Sequence, residues 1–220
     1  MDGIGSFIED DTETLHVMAV EYEERFGETI VHLFGRIQDR EAKWVEVSGH
    51  NPSFYIHESE DAGRLQNHNW VESIEHGHSS IHGDPLYRVE TRLPKHVGGT
   101  SEKSGLRDYY DQTWEADVFY DSQFLIDTGI KTHVEIDKSD IRDDNTVDGD
   151  YQVHVDDLTA VDPDWRVEPR LVTIDIEVQS PDGFPDPDDA DQPVTAITAY
   201  DNYADKYTLW ILRHESWLMD

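Results

Sequence analysis

Apolar and polar residues alternate along most of this chain, the period of strands that set one face on a core and the other in water. Leu15–Tyr22 (LHVMAVEY) and Thr29–Ile37 (TIVHLFGRI) follow that pattern, with a polar turn at Gln38–Lys43. Trp44–Val47 and Ser53–His57 come next, separated by Gly49-His50-Asn51-Pro52, a dense turn signal. The opening of the chain therefore reads as a β-meander. Arg64–His76 has no clean period and is read as a short helix, and His76–Asp84 as a loop. Leu86–Leu93 (LYRVETRL) is again an alternating strand. Lys95–Ser104 reads as a loop and Gly105–Trp114 as helical. Ala116–Gly129 (ADVFYDSQFLIDTG) fits a short helix that Gly129 closes with a left-handed cap. Ile130–Trp165 is dense in Asp and broken by Gly and Pro, which predicts a connector with one or two edge strands. Beyond it lie an apolar strand at Arg170–Val178, a loop at Ser180–Gln192, and two strands at Val194–Tyr200 and Lys206–Leu212, read as an added antiparallel hairpin.

The Arg170–Val178 run (RLVTIDIEV) carries the most pointed chemistry of the sequence. Asp175 and Glu177 stand two apart in a strand that reads as buried and central, so both carboxylates project to one face. Burying like charges side by side is costly unless a cation neutralises them, and a hard divalent ion such as Mg²⁺ or Mn²⁺ prefers such oxygen ligands. Spacing alone is not specific: in so acidic a sequence, an Asp and a Glu one residue apart arise by chance roughly two or three times. The spacing recurs at Asp11-Thr12-Glu13 and Asp39-Arg40-Glu41, in polar surroundings where a solvated surface is the sensible reading. The residues alone leave two readings open, a metal site or a strand end that exposes two acids.

Composition changes the picture in one respect. Asp and Glu number 49 against 17 Lys and Arg, for a formal charge of −32 over 220 residues. The acids are spread along the sequence, and six Trp, ten Tyr and seven Phe supply core material, so disorder is not the reading. A folded protein with a lysine-poor, carboxylate-covered surface, as in organisms that hold molar salt in the cytoplasm, fits better. At 1 M salt the Debye length is about 3 Å, which screens the self-repulsion and also weakens any phosphate contact. Absence of cysteine removes disulfides, thiolate catalysis and Cys-ligated zinc. With neither a signal-peptide pattern nor a membrane-length apolar run, a soluble cytoplasmic protein is expected.

The order of the pieces resembles the amino-terminal part of an archaeal-type family B DNA polymerase. The likeness rests on Leu33-Phe34-Gly35-Arg36 with Asn51-Pro52-Ser53-Phe54-Tyr55-Ile56, on Glu115-Ala116-Asp117-Val118 followed by Phe124-Leu125-Ile126-Asp127-Thr128-Gly129, and on Asp175-Ile176-Glu177 as a first exonuclease motif. It implies an α+β chain: a mostly β amino-terminal domain over 1–130, an acidic connector over 131–165, and over 166–220 the opening strands of an RNase-H-like 3′–5′ exonuclease domain. In the family, the motif's Asp and Glu bind two divalent ions, Mg²⁺ or Mn²⁺, so Asp175 becomes the bridging ligand and Glu177 a ligand that also orients the water. The amino-terminal domain then contacts template, with Pro52, Phe54, Tyr55, Phe119 and Tyr120 as candidate binding residues. Primer–template DNA, the remaining polymerase polypeptide and a sliding clamp are the implied partners. The family's further exonuclease carboxylates and its palm aspartates are absent, so the chain alone is expected to be inactive. Archaeal relatives also sense uracil in template, but Phe119, Tyr120 and Gln123 depart from the residues expected on one wall of that pocket. The expected source is a haloarchaeon or one of its viruses. The rival reading is a non-catalytic template- or partner-binding module from a truncated or split polymerase.

Several plainer readings stand beside these. His68, His76, His78 and His82 are read as a solvated loop rather than zinc ligands. Trp210 and Tyr207 are expected in a core, and Tyr109 and Tyr110 serve packing as well as stacking. Asp182, Asp186, Asp188, Asp189 and Asp191 lack the spacing of a calcium loop and are read as acidic surface. From the charge alone, the melting temperature should rise between 0.1 M and 2 M KCl. A flat or falling value in a thermal melt would contradict the halophilic surface.

Overall fold

A computed structural model describes residues 12–138, 149–180, 183, 186, 188 and 192–212. It comprises two compact units, residues 1–167 and 168–220. The first holds β1 (Thr12–Arg25), β2 (Glu28–Arg36), β3 (Ala42–Ser48), β4 (Ser53–His57), β5 (Val71–Ser79), β6 (Pro85–Thr91), α1 (Pro94–Gly98), α2 (Tyr120–Thr128), β7 (His133–Asp137), β8 (Tyr151–His154) and β9 (Leu158–Val161). The second holds β10 (Val172–Val178), β11 (Val194–Asp201) and β12 (Lys206–Ile211). The architecture is mostly β with short helices, as the alternation predicts.

In the first unit a six-stranded sheet runs β8-β3-β2-β1-β7-β9 and a three-stranded sheet runs β4-β6-β5. Alternation decides what is buried. Val31 and Leu33 of β2, Val45 and Val47 of β3, Leu15 of β1, and Val134 and Ile136 of β7 face one core, where Tyr120 and Phe124 of α2 join them. Each such apolar side chain contributes about 1.5–3 kcal/mol relative to exposure. Phe54, Ile56, Leu65, Val89, Val97 and Leu106 form a second core behind the smaller sheet. Close approach at Gly35 requires glycine, because a Cβ there would lie 2.3 Å from the His16 carbonyl oxygen and 2.8 Å from Leu15 Cγ. This is the crossing beside the β1 bulge, where the β1–β2 register shifts between Val17 and Ala19.

Several expectations are corrected. Arg64–His76 is not a helix: one 3₁₀ turn at Ala62–Arg64 leads into β5, whose register against β6 shifts twice and so blurs the alternation. Gly105–Trp114 contains only a 3₁₀ turn, Leu106–Tyr109, and the loop expected at Lys95–Ser104 begins as α1, with Pro94 in its first turn. The described residues of the Ile130–Trp165 stretch carry three strands, where one or two were expected. β8 and β9 form the sheet's edges and β7 lies one place in, and their short length let the Asp-rich flanks mask the pattern. Helix α2 does end as expected, with Gly129 left-handed at φ 70°.

A buried histidine of this sheet, His133, stacks on a half-buried one. His16 of β1 and His133 of β7 face each other across the strands, with rings stacked at 4.6 Å and Trp165 edge-on to His133 at 4.4 Å. His16 Nδ1 accepts from the Val167 amide at 3.1 Å, and His133 Nδ1 meets Thr132 Oγ1 at 3.0 Å while its Nε2 is buried without a partner. Burial holds the His133 pKa below the ordinary histidine value, and nearby His16 and Arg166 push it the same way against Asp162. The folded state therefore favours neutral His133. Its contribution is fully present above the unfolded pKa of about 6.5 and is lost as pH falls from there toward the folded value. In His133→Phe, the fall in melting temperature between pH 7.5 and 5.5 should be smaller than in the native protein. Equal slopes would show that this histidine does not titrate against the fold.

Candidate metal site and cavity

The second unit is the antiparallel sheet β10-β11-β12. Its lead-in is fastened by polar contacts: the Leu171 amide donates to Asn202 Oδ1 at 2.8 Å, and Asn202 Nδ2 donates to the Pro169 carbonyl at 3.1 Å. Arg170 pairs with Asp201, and the guanidinium holds that carboxyl below its usual range. Along β10 the register is unbroken from Val172 to Glu177, with Asp175 opposite Thr198 and Glu177 opposite Ala196. The pleat therefore places both carboxylates on one face, about 7 Å apart along the strand. On β12 the same rows continue to Leu209 and Ile211.

The expectation of a buried, central strand is corrected. Among the described residues β10 is an edge strand, and Asp175 and Glu177 are exposed, as are Val172, Ile174 and Ile176 on the other face. Trp210 and Tyr207, expected in a core, are exposed as well. The apolar run does form a strand, but no described residues cover the sheet. The donor set still suits a hard divalent ion: two carboxylates on one face, open to solvent, are a partial oxygen ligand set.

The described residues bring three metal-type ligands together only at Glu23, His32 and Glu46, which sequence reasoning missed. That place already holds a cation. Arg25 Nη2 and Nη1 reach the two Glu46 oxygens at 2.8 and 3.1 Å, and its Nε reaches Glu23 at 2.6 Å. The hydrogen bond to buried Glu46 holds Arg25 firmly in its charged form. His32 Nδ1 is occupied too, accepting from Trp44 Nε1 at 3.0 Å. The cluster is two carboxylates sharing one guanidinium, on the face of the sheet opposite the first core. The clue lay in the alternation that sets Glu23 and Arg25 on one face of β1. The four histidines do not converge either: the loop expected at His76–Asp84 begins as strand, with His76 and His78 in β5 packing on Tyr87 and Tyr55, and His68 packs on Trp70. Asp11, in the first of the other acid pairs, and Asp182, Asp189 and Asp191 lie outside the described residues.

Two segments far apart in sequence do meet. A cavity of about 350 Å³ is lined by Pro52 and Ser53 on one side and by Val118, Phe119, Tyr120 and Gln123 on the other, with Tyr22, Lys95 and Arg107 at its border. Gln123 closes the contact. Its Oε1 accepts from the Ser53 amide at 2.9 Å and its Nε2 donates to the Ser53 carbonyl at 2.8 Å, both buried. Tyr120 donates its hydroxyl to the His50 carbonyl at 2.8 Å, and burial drives its pKa well above the ordinary tyrosine value. Of the candidate template residues, Pro52, Phe119 and Tyr120 line the cavity, and Phe119 is 82% exposed. Phe54 and Tyr120 are corrected as stacking faces: Phe54 sits in the second core and Tyr120 in the first, where their apolar surface is worth more than in solvent. Tyr55 is half-buried, and its backbone pairs with Trp114.

This mostly β protein, with paired carboxylates on one strand of its second unit, has the architecture of the amino-terminal and opening exonuclease portion of a family B DNA polymerase. Residues 111–211 match the model of the exonuclease domain of DNA polymerase family B. The DNA-directed DNA polymerase of Escherichia phage RB69 is 49% identical over 43 residues, covering 20% of this chain and 5% of the phage protein. The family B DNA polymerase of the hyperthermophilic archaeon Pyrobaculum calidifontis has the same fold, with a TM-score of 0.68 at 19% identity over 91% of this chain. The match spans 27% of the archaeal chain, so this chain corresponds to a small part of either relative.

Gln123→Ala should destabilise the first unit by about 1–3 kcal/mol, because it strands a buried donor and a buried acceptor of Ser53. Urea unfolding would measure this, and an unchanged midpoint would show that the clamp is not needed to hold the two segments.

Proposed function

We propose that this chain is the template-facing amino-terminal domain, up to residue 167, joined to the start of a 3′–5′ proofreading exonuclease domain of a replicative family B DNA polymerase. The observation that carries the reading is the position of Asp175 and Glu177, neighbours on one face of a strand inside the matched segment. In this reading the two carboxylates hold Mg²⁺ or Mn²⁺, with Asp175 as the shared ligand and Glu177 also orienting the attacking water. Bound ions supply a nucleophile at neutral pH and stabilise the leaving 3′ oxygen of a phosphodiester. The open face lets a primer terminus approach without a rearrangement of β10. Phe119 and Pro52 border the path of single-stranded template, where an aromatic face contributes about 1–3 kcal/mol per stacked base.

The exposed rows of β10 and β12 support a second element of the reading. Exposed apolar residues lie on both faces of the sheet, Val172, Ile174 and Ile176 on one and Leu209 and Ile211 beside the acids on the other, a pattern that marks an interaction surface. The partner is the remaining polymerase polypeptide, and without it the chain acts as a template- or partner-binding module. A sliding clamp and a cytoplasmic setting follow from the family alone. The lysine-poor surface supports a haloarchaeal or haloarchaeal-virus source. No helix among the described residues is long and apolar enough to cross a membrane.

Mn²⁺ titration followed by paramagnetic broadening should affect β10 amides near Asp175 and Glu177, and the double variant Asp175→Asn/Glu177→Gln should lose the effect. Broadening that persists in the variant would remove the metal assignment. With labelled primer–template and Mg²⁺, the 220-residue protein should neither extend nor appreciably degrade the primer. Strong degradation abolished by Asp175→Ala would show a complete exonuclease site and overturn the module.

A further inference from the structure

The β1–β2 hairpin turns on Phe26 and Gly27, both at positive φ, 52° and 86°. Arg25 and Glu28 pair across the turn, so the loop is two residues long. Two positive φ values define the type I′ turn, whose usual sequence is Asn-Gly. Phenylalanine has neither the permissive backbone of glycine nor the local hydrogen bonding of asparagine, and a bulky side chain in that region is strained. No packing offsets the strain, because the ring is 98% exposed and belongs to neither core.

The turn borders a hollow. Phe26 and Gly27 form one wall of a second cavity, about 610 Å³, whose other walls come from the Ser48–Asn51 turn, Arg92 and His154. Phe26 is the one large apolar side chain of that lining. Gly49, at φ 88°, has no room for a Cβ, which would lie 2.0 Å from His154 Nε2, so the imidazole sits directly against bare backbone. At the border, Arg92 pairs with Glu72 at 2.9 Å. The volume suits a small organic group such as a nucleoside. Proteins that hold single strands without reading sequence stack bases on aromatic faces, and here, with Glu28 and Glu72 also in the lining and Arg92 paired to Glu72, the ring and not a basic groove would carry the contact.

Both cavities are bordered by the same elements. Glu24 and Pro52 line the first, while Phe26 and Asn51 line the second. Glu24 and Phe26 are two residues apart on the hairpin, about 7 Å. A strand seated in the first cavity therefore reaches the second with an adjacent nucleotide. We propose that the Phe26 cavity is a second nucleotide site for single-stranded DNA, with the Phe26 ring stacking on one base. The inference rests on the reading that template passes the first cavity.

The test is titration of fluorescein-labelled oligo(dT) with the full 220-residue protein in about 1 M KCl, where ionic contacts are screened. Phe26→Asn places Asn-Gly in the turn and should melt no lower than the native protein, yet bind at least about fivefold more weakly, the low end for one base stack. Phe26→Tyr should retain affinity, and Phe26→Leu, apolar but without an aromatic face, should lose it like the asparagine variant. Native affinity in the Asn or Leu variant would overturn the proposal. Weakening by Phe119→Ala with no effect at Phe26 would sink the second site and leave the template reading standing. No binding by the native protein would remove both.

Discussion

Helix α2 is the constraint on which the first unit depends. Its nine residues serve two sheets at once. Tyr120 and Phe124 enter the core beneath the six-stranded sheet, while Gln123, on an adjacent part of the helix, holds the backbone of Ser53 where β4 begins. The clamp works because Gln123 is buried and both ends of its amide are satisfied, the condition under which a buried polar group fixes one arrangement instead of penalising it. The same placement makes the cavity. Phe119 is the N-cap residue, still extended, and points its ring outward, while Tyr120, about 100° further around the helix, is turned into the core.

Charge limits what such a surface can bind. Several of the few cations are committed within the fold: Arg25 to Glu46 and Glu23, Arg88 to Glu90 and Asp127, Arg170 to Asp201. Phosphate recognition by a basic patch is therefore a poor strategy here, and molar salt would suppress it further. Stacking is not ionic and survives screening. A protein with this balance that holds single strands should hold them by rings, and exposed Phe119 at a helix start is the kind of group it would use.

Most strands were legible because alternation is a local record of one-sided burial. β1 to β4 and β10 to β12 could be read that way, and Gly129 announced the end of α2 through its backbone freedom. β5 was missed because two register shifts interrupt its period, and β7 to β9 were expected only as one or two unplaced edge strands because four- or five-residue strands are too short to outweigh acidic flanks. At the candidate sites, the shared face of Asp175 and Glu177 follows from strand geometry and was legible. The fates of the four aromatic candidates were not. Phe54 and Tyr55 are neighbours, as are Phe119 and Tyr120, and which ring of each pair turns inward depends on tertiary packing. The Arg25–Glu46 pair, joining residues on different strands, left only its β1 half visible.

The sheet of the second unit shows where a sequence records more than the described residues hold. Ile174 and Ile176 on one face, and Leu209 and Ile211 beside the acids on the other, are exposed, although the composition of β10 is that of a strand covered on both sides. Exposure also sets the electrostatics of Asp175 and Glu177. In open solvent two carboxylates on one face are hydrated and screened, and a divalent cation gains little from them. Covering the Leu209–Ile211 row with further polypeptide would strip that hydration, raise the cost of holding two like charges together, and so increase what a bound cation relieves. If the two acids hold a cation as proposed, its affinity would be coupled to how completely the sheet is covered, and the apolar residues beside them would tune it.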